Sequence, residues 1–489
     1  MVLVLPLVST KIVATLGPAT STPELVEALL EAGVSVFRLN FSHGTHAEHL
    51  GHIQRVRAAA ERLHRPAAVL QDLQGPRIRV GTLAGGGPVL LQKGAALVLT
   101  ARQVVGTAQE VSVSYEGLPR DVGPGQRVLL DDGRLEVRVE EVRGPDLLTR
   151  VVKGGPLGER KGVNVPGAHL RLPPFTEKDR EDLAFGLRHG VDFVALSFVR
   201  RPTDAEPVRQ VLAEHGAQAP VIAKLERPEA LGALEEVLAA FDGVMVARGD
   251  LGVELPPEEV PVWQKRIIRL ANRLGKPVIT ATQMLESMVS SPLPTRAELS
   301  DVANAVLDGT DAVMLSAETS VGQYPVETVQ LMRRIVARAQ GFQERREEHD
   351  LRGLSQAHAV SYAACLLARS LDVRAVAVFT TTGRTAHYVS QDRPPVPIFA
   401  LTPDPRVERQ LCLWWGVLPV LPPFPRQTDE AIAQAERLLL QRGCLQLGDR
   451  VVLVGSAPII ARGRTNFLLV HRLGQAWDAP RPFPKDQPT

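Results

Sequence analysis

Between Thr10 and Ile335 short apolar runs alternate with amphipathic stretches of helical length, and the apolar runs end in polar or charged residues. This pattern predicts strands over 11–17, 34–41, 67–72, 193–198, 220–224, 243–247, 277–281 and 312–315. Helices are expected between them, among others over 22–31, 177–189, 230–240, 257–273 and 296–307. Eight such units in succession predict a closed α/β architecture, a (β/α)8 TIM barrel, rather than an open sheet. Thr176 with Asp179 three positions on reads as a helix start, and Gly275 followed by Pro277 reads as a stop.

The spacing breaks between the third and fourth strands. Residues 76–167 are rich in Gly, Pro and Val and carry alternating pieces such as 127–130 and 135–139, split by the turn signal at 131–133. They are expected to form an inserted β-barrel lid domain at the face where barrel loops build active sites. The catalytic barrel then comprises 1–75 and 168–345, followed by a C-terminal α/β domain over 346–476 and a flexible Pro-rich tail over 477–489. In the C-terminal domain, strands are expected at 374–379, 396–401 and 449–454, with helices near 358–370, 407–414 and 429–441.

A length of 489 residues suits about three domains. With 44% hydrophobic and 22% charged residues the composition is that of a globular protein, and no apolar run approaches the ~20 residues of a membrane span. Met1 to Val8 lacks a basic start and a cleavage site and does not read as a signal peptide. Cys365, Cys412 and Cys444 are widely spaced, which predicts reduced thiols and a cytoplasmic location. A net charge of +2 gives no electrostatic case for nucleic acid or membrane as partner.

If the barrel closes, the residues past its strands share one face: Arg38, Asn40 and Ser42; Asp72; Ser197; Lys224 and Glu226; Arg248 and Asp250; Thr282; Ser316 and Glu318. Glu226 and Asp250 are hard oxygen donors suited to Mg2+ or Mn2+, and the lack of a Cys/His cluster argues against zinc. Lys224 and Arg38 supply fixed positive charge that metal-binding carboxylates alone would not need. The combination suits an anionic substrate whose phosphoryl charge is stabilised during transfer. A metal-dependent lyase or aldolase, or a silent binder of phosphorylated metabolites, would use some of the same parts. A second candidate site is Thr380-Thr381-Thr382-Gly383-Arg384-Thr385, which follows a strand and opens a helix, so that hydroxyls and amides could cradle a phosphate.

Five segments in order, 37–44, 223–226, 246–252, 281–288 and 314–319, resemble the motifs of the pyruvate kinase family. The resemblance implies transfer of a phosphoryl group from phosphoenolpyruvate to ADP, giving pyruvate and ATP. It further implies that Glu226 and Asp250 hold the divalent ion, that Lys224 and Arg38 stabilise the phosphoryl group, and that Gly249, Asp250 and Thr282 orient the substrate carboxylate. Thr282 and Ser316, with Glu318 behind them, would deliver the proton to the enolate. Nucleotide phosphates, arriving with a second metal ion, would meet Asn40, His43, Arg79 and Lys161. Where potassium-requiring members carry an acid, position 77 is arginine. Arg77 is therefore expected to replace the monovalent cation near Asn40, Ser42, Asp72 and Leu73, so that K+ is not required. The family likeness also implies a homotetramer and a sugar-phosphate or nucleotide effector at 380–385.

Overall fold

The computed structural model describes residues 8–342 and 354–475, apart from 132, 169, 426, 442, 444 and 460–464. Cys444 and the tail expected at 477–489 lie outside the described residues. Among the described residues no helix is long and apolar enough to cross a membrane.

Eight parallel strands close into a barrel: Lys11–Thr15, Val36–Asn40, Ala68–Asp72, Phe193–Leu196, Val221–Leu225, Gly243–Ala247, Val278–Ala281 and Ala312–Leu315. Each pairs with its sequence neighbours, and the first closes on the eighth through Lys11 opposite Ala312 and Ala14 opposite Leu315. All residues of the first strand are buried, as are those of the fifth and sixth, because helices cover the outside while side chains fill the inside.

The helix start at Thr176 forms as expected: its Oγ1 accepts from the Asp179 amide at 3.2 Å, and Asp179 Oδ2 accepts from the Thr176 amide at 2.9 Å. Two elements differ from the periodicity. The helix expected over 230–240 is split into Pro228–Gly232 and Leu234–Ala240 by Ala233, whose φ of −122° is not helical. Gly232 at the junction offers little resistance to the break. Residues 248–252, readable as a tight turn, instead begin the short helix Arg248–Glu254.

The insertion folds as a β domain around its own core, which includes Leu97, Leu99, Val128, Leu130, Val137 and Val151. Its main sheet has six strands in the order Val163–Asn164, Arg127–Leu130, Leu135–Arg143, Asp146–Lys153, Ala96–Thr100 and Glu110–Ser112. Arg79 bridges to Gly162 beside one edge strand, and Val80 bridges to Val113 beside the other. The chain entering the domain thus joins the two edges and closes the sheet on itself, which leaves few unpaired edge groups.

The C-terminal domain is a five-stranded sheet ordered Val417–Val420, Ile398–Leu401, Ala375–Phe379, Arg450–Gly455 and Phe467–Arg472, with the last strand antiparallel. The first and last of these were not apparent in the sequence: one holds Pro419, and the other is largely half-exposed at the sheet edge.

This domain covers the barrel floor. Cys412 and Leu413, in the turn Leu411–Leu413, join the same buried cluster as the inward-facing Val13, Val36, Leu70, Ile222, Met245 and Met314. Arg409 Nε contacts Asp192 Oδ1 at 2.7 Å, and Arg393 Nη2 contacts Asp311 Oδ1 at 2.9 Å, both acids lying just before barrel strands. Lys11 donates to the Val417 carbonyl at 2.5 Å. Burial pulls the Lys11 ammonium down from 10.5 to about 8, a shift that the nearby Cys412 only partly opposes. Between those two pH values the unfolded chain holds a proton that the folded chain has lost, so stability rises with pH there. Urea unfolding should therefore gain about 3 kcal/mol between pH 7 and 11 relative to Lys11→Met. Parallel pH curves for the two proteins would contradict this.

Candidate active site

At the opposite, C-terminal face of the barrel, four charged side chains share a nearly solvent-free site. Asp72 ends the third strand and is 1% exposed. Its Oδ2 lies 2.6 Å from both Nε and Nη2 of Arg38, midway along the second strand, while its Oδ1 lies 3.1 Å from Lys224 Nζ on the fifth strand. Lys224 Nζ also reaches Glu226 Oε1 at 2.8 Å and donates to Ser197 Oγ at 2.7 Å. Ser197 in turn donates to the Leu73 carbonyl at 2.7 Å, and Arg38 donates to Thr15 Oγ1 at 3.0 Å. The second oxygen of Glu226 accepts from the Phe198 amide at 2.9 Å.

Two cations thus neutralise two carboxylates, the arrangement that burial demands. Burial tends to raise the Asp72 carboxyl, but Lys224 and Arg38 outweigh it and hold the group below its usual range. Glu226 goes the other way, pushed up by burial and by the Asp250 charge despite Lys224. Lys224 is raised because Asp72 and Glu226 overcome the opposing effect of burial. Glu226 and Asp250 face each other across adjacent strand ends with excess negative charge, which a hard cation would relieve. Among the described residues no group of three or more His, Cys, Asp or Glu side chains is arranged to hold a metal ion. An ion here would take two protein carboxylates and fill its remaining positions with substrate or water oxygens.

Asp250, Gly249, Thr282 and Arg77 line one open cavity of 1220 Å³. The Gly249 amide donates to Thr282 Oγ1 at 2.8 Å, and that hydroxyl donates to the Ala281 carbonyl at 2.6 Å. Thr282 and Gln283 have φ of +68° and +55°, and Phe198 has +57°. Left-handed conformations of non-glycine residues cost about 1–3 kcal/mol each and gather where function demands them. Glu318 is buried, its oxygens accepting from the Leu285 amide at 3.1 Å and the Ser316 amide at 2.7 Å, and burial raises its carboxyl. Ser316 Oγ is buried with no hydrogen-bond partner among the described residues.

His43 sits near three guanidiniums. Partial burial, then Arg77, Arg79 and Arg38, lower its imidazole. Asn40 Oδ1 accepts from the Ser42 amide at 3.1 Å, and Asn40 is paired with Asp72 in the sheet. Leu73 is buried, while Arg77 is exposed with no carboxylate at ion-pair distance among the described residues. Arg79 donates to the Arg160 carbonyl at 3.0 Å, and Lys161 pairs with Asp131 Oδ1 at 2.8 Å. The bridge from Arg79 to Gly162 places Arg79 and Lys161 on neighbouring segments of the inserted domain. Sequence reasoning gave no role to Ser197 or Thr15, whose only signal is a hydroxyl at a strand end.

The loop at 380–385 joins the strand Ala375–Phe379 to the helix Arg384–Gln391. Gly383, at φ +82°, donates its amide to Thr380 Oγ1 at 2.9 Å, and Thr385 Oγ1 meets Thr465 Oγ1 at 2.8 Å. Thr381 is half-buried, and Thr382 and Arg384 are exposed beside the helix start.

Comparison with known proteins agrees with this architecture. The family model described as pyruvate kinase, barrel domain, matches residues 7–329, and that described as pyruvate kinase, alpha/beta domain, matches 358–471. Pyruvate kinase 2 of Synechocystis sp. is 49% identical over 464 residues, covering 94% of this chain and 78% of that protein. The pyruvate kinase of Mycobacterium intracellulare is 47% identical over 465 residues, covering 95% and 98%. A crystal structure of a pyruvate kinase from Cryptosporidium parvum matches with a TM-score of 0.88 at 36% identity, covering 95% of this chain and 96% of that one. With both family models in chain order over one closed barrel and its C-terminal sheet, the chain belongs to the pyruvate kinase family of phosphotransferases.

Proposed function

We propose that this enzyme transfers the phosphoryl group of phosphoenolpyruvate to ADP, giving pyruvate and ATP. The observation that carries the reading is the buried ammonium of Lys224, fixed between Asp72 and Glu226 and within electrostatic reach of Asp250, which lines the open cavity. A divalent ion, Mg2+ or Mn2+, held by Glu226 and Asp250 would supply Lewis-acid polarisation of substrate oxygens. Lys224 and Arg38 stabilise charge on the phosphoryl group in a site that is pre-organised and poor in water. The Gly249 and Asp250 amides and Thr282 orient the substrate carboxylate, which must displace the amide-to-hydroxyl bond at Thr282. Asn40, His43, Arg79 and Lys161 serve the ADP phosphates; Lys161 would exchange its Asp131 partner for phosphate. Departure of the phosphoryl group leaves an enolate whose carbon takes a proton through Thr282 and Ser316, with Glu318 holding that loop. The unpartnered Ser316 hydroxyl supports its place in this chain.

The same reading assigns the barrel to 1–75 and 168–345, the lid to 76–167 and the effector domain to 346–476, in a cytoplasmic homotetramer. A sugar phosphate or nucleotide would bind 380–385 through Thr381, Thr382, Arg384 and the adjacent amides. Arg77 stands in for K+, a reading supported by the reach of its charge to His43, the residue next to Ser42.

ATP formation from phosphoenolpyruvate and ADP, in buffer free of sodium and potassium, is the test. Turnover is expected with a divalent ion alone, and added potassium should change it less than a few-fold. Arg77→Glu should make the rate depend on potassium. Absence of ATP formation would overturn the catalytic reading, whereas strong stimulation of the unaltered enzyme by potassium would overturn only the role of Arg77. An unchanged response of Arg384→Ala to a panel of sugar phosphates and nucleotides would count against the effector loop.

A further inference from the structure

Arg248 is 8% exposed and lines the same cavity as Thr282, yet the structure leaves it no free donor to offer a substrate. Its Nε donates to the Ala281 carbonyl at 3.3 Å. Nη2 donates to the Thr282 carbonyl at 2.6 Å and the Gln283 carbonyl at 3.3 Å. Nη1 donates to Asp301 Oδ1 at 2.7 Å and Gln264 Oε1 at 3.2 Å. A guanidinium has five N–H groups, and these five bonds engage all of them.

Three of the acceptors are consecutive carbonyls at the end of the seventh strand, where Thr282 and Gln283 both adopt left-handed backbone conformations. Such a conformation persists only where neighbours over-determine it. Here the planar fork of Arg248 does so from one side, and the bond from the Gly249 amide to Thr282 Oγ1 does so from the other. Because Arg248 directly precedes Gly249, one segment holds the backbone of Thr282 throughout and its hydroxyl until the substrate carboxylate takes over the Gly249 amide.

We propose that Arg248 is a positioning residue that fixes the strained 281–283 turn and thereby aims the Thr282 hydroxyl at the substrate. The proposal rests on the role given to Thr282 above. Lysine cannot reproduce it, since a single ammonium cannot span three carbonyls and Asp301 together. Asp301 and Gln264 anchor the guanidinium from the opposite side.

The test is a double-mutant cycle on the full-length enzyme with saturating phosphoenolpyruvate and ADP. Arg248→Lys should lower kcat by about 10- to 100-fold, the cost of misplacing a reacting group, and leave KM for ADP within about twofold. In a Thr282→Ala background the same change should lower kcat by less than about twofold, because the group being positioned is gone. Should Arg248→Lys fail to fold, Asp301→Asn loosens the same guanidinium and should show a smaller loss of kcat, again abolished by Thr282→Ala. Equal losses in both backgrounds, or no loss with Arg248 altered, would overturn the proposal while leaving the role of Thr282 intact. Full activity of Thr282→Ala alone would instead remove the role of Thr282, and this proposal with it.

Discussion

Replacing Lys224 with methionine should lower kcat by about 10²- to 10³-fold or more, the loss expected when one pre-organised electrostatic contact to the transition state is removed. Among the described residues the ammonium is the one side-chain group paired with both Asp72 and Glu226, so two effects must be separated. Asp72 keeps Arg38, but among the described residues Glu226 is left buried with the Phe198 amide alone. Loss of one partner from a buried ion pair costs about 3–5 kcal/mol, and a lower unfolding midpoint is expected as well. Steady-state kcat measured well below that midpoint isolates the chemical effect. Lys224→Arg is expected to recover little, because a planar fork does not fit the position of a compact ammonium among Asp72, Glu226 and Ser197. A Lys224→Met enzyme whose folded fraction turns over within a few-fold of the original would sink the assignment.

Glu226→Gln should weaken divalent-ion binding by at least the ~10–100-fold that loss of an outer-shell partner costs at metal sites. The physical reason lies in the charge balance. Glu226 is raised by burial and by the Asp250 charge even against Lys224, so a cation bound between the two carboxylates would favour their ionised forms. Removing one of two carboxylates removes the electrostatic reason for an ion to sit there. Binding of Mn2+ followed by electron paramagnetic resonance, without substrates, checks this directly. The divalent-ion concentration for half-maximal ATP formation should rise in parallel. Unaltered Mn2+ binding would mean that the ion is held elsewhere.

Much of the barrel was legible because its strands are nearly uninterrupted apolar runs. Those at 243–247 and 312–315 match the structure residue for residue, and the others agree to within two residues at either end. The strand ends carrying Lys224, Glu226, Asp250 and Thr282 were legible for the same reason. What pairs with what was not. Asp72 and Lys224 lie on the third and fifth strands, which are not neighbours, and they meet inside the barrel beside Ser197, just past the strand between. The curvature of the sheet brings the two side chains together across the strand between, and no local pattern encodes it. Arg248 could be seen as a charge at a strand end, but not as a residue turned inward on backbone carbonyls. The strands at 417–420 and 467–472 escaped because a proline and a half-exposed edge mask the usual signal. Likewise, the break at Ala233 is a backbone event that apolar spacing does not reveal.

The turn bearing Cys412 and Leu413 bears on how the chain matures during synthesis. As the eighth barrel strand leaves the ribosome, the inward layer around Val13, Ile222 and Met314 still lacks two of its members. These arrive only after the first two strands of the C-terminal sheet have been made. A nascent barrel must therefore wait with an apolar opening at its base, a state that invites aggregation or chaperone capture. The finished enzyme owes the floor of its barrel to a domain made after it.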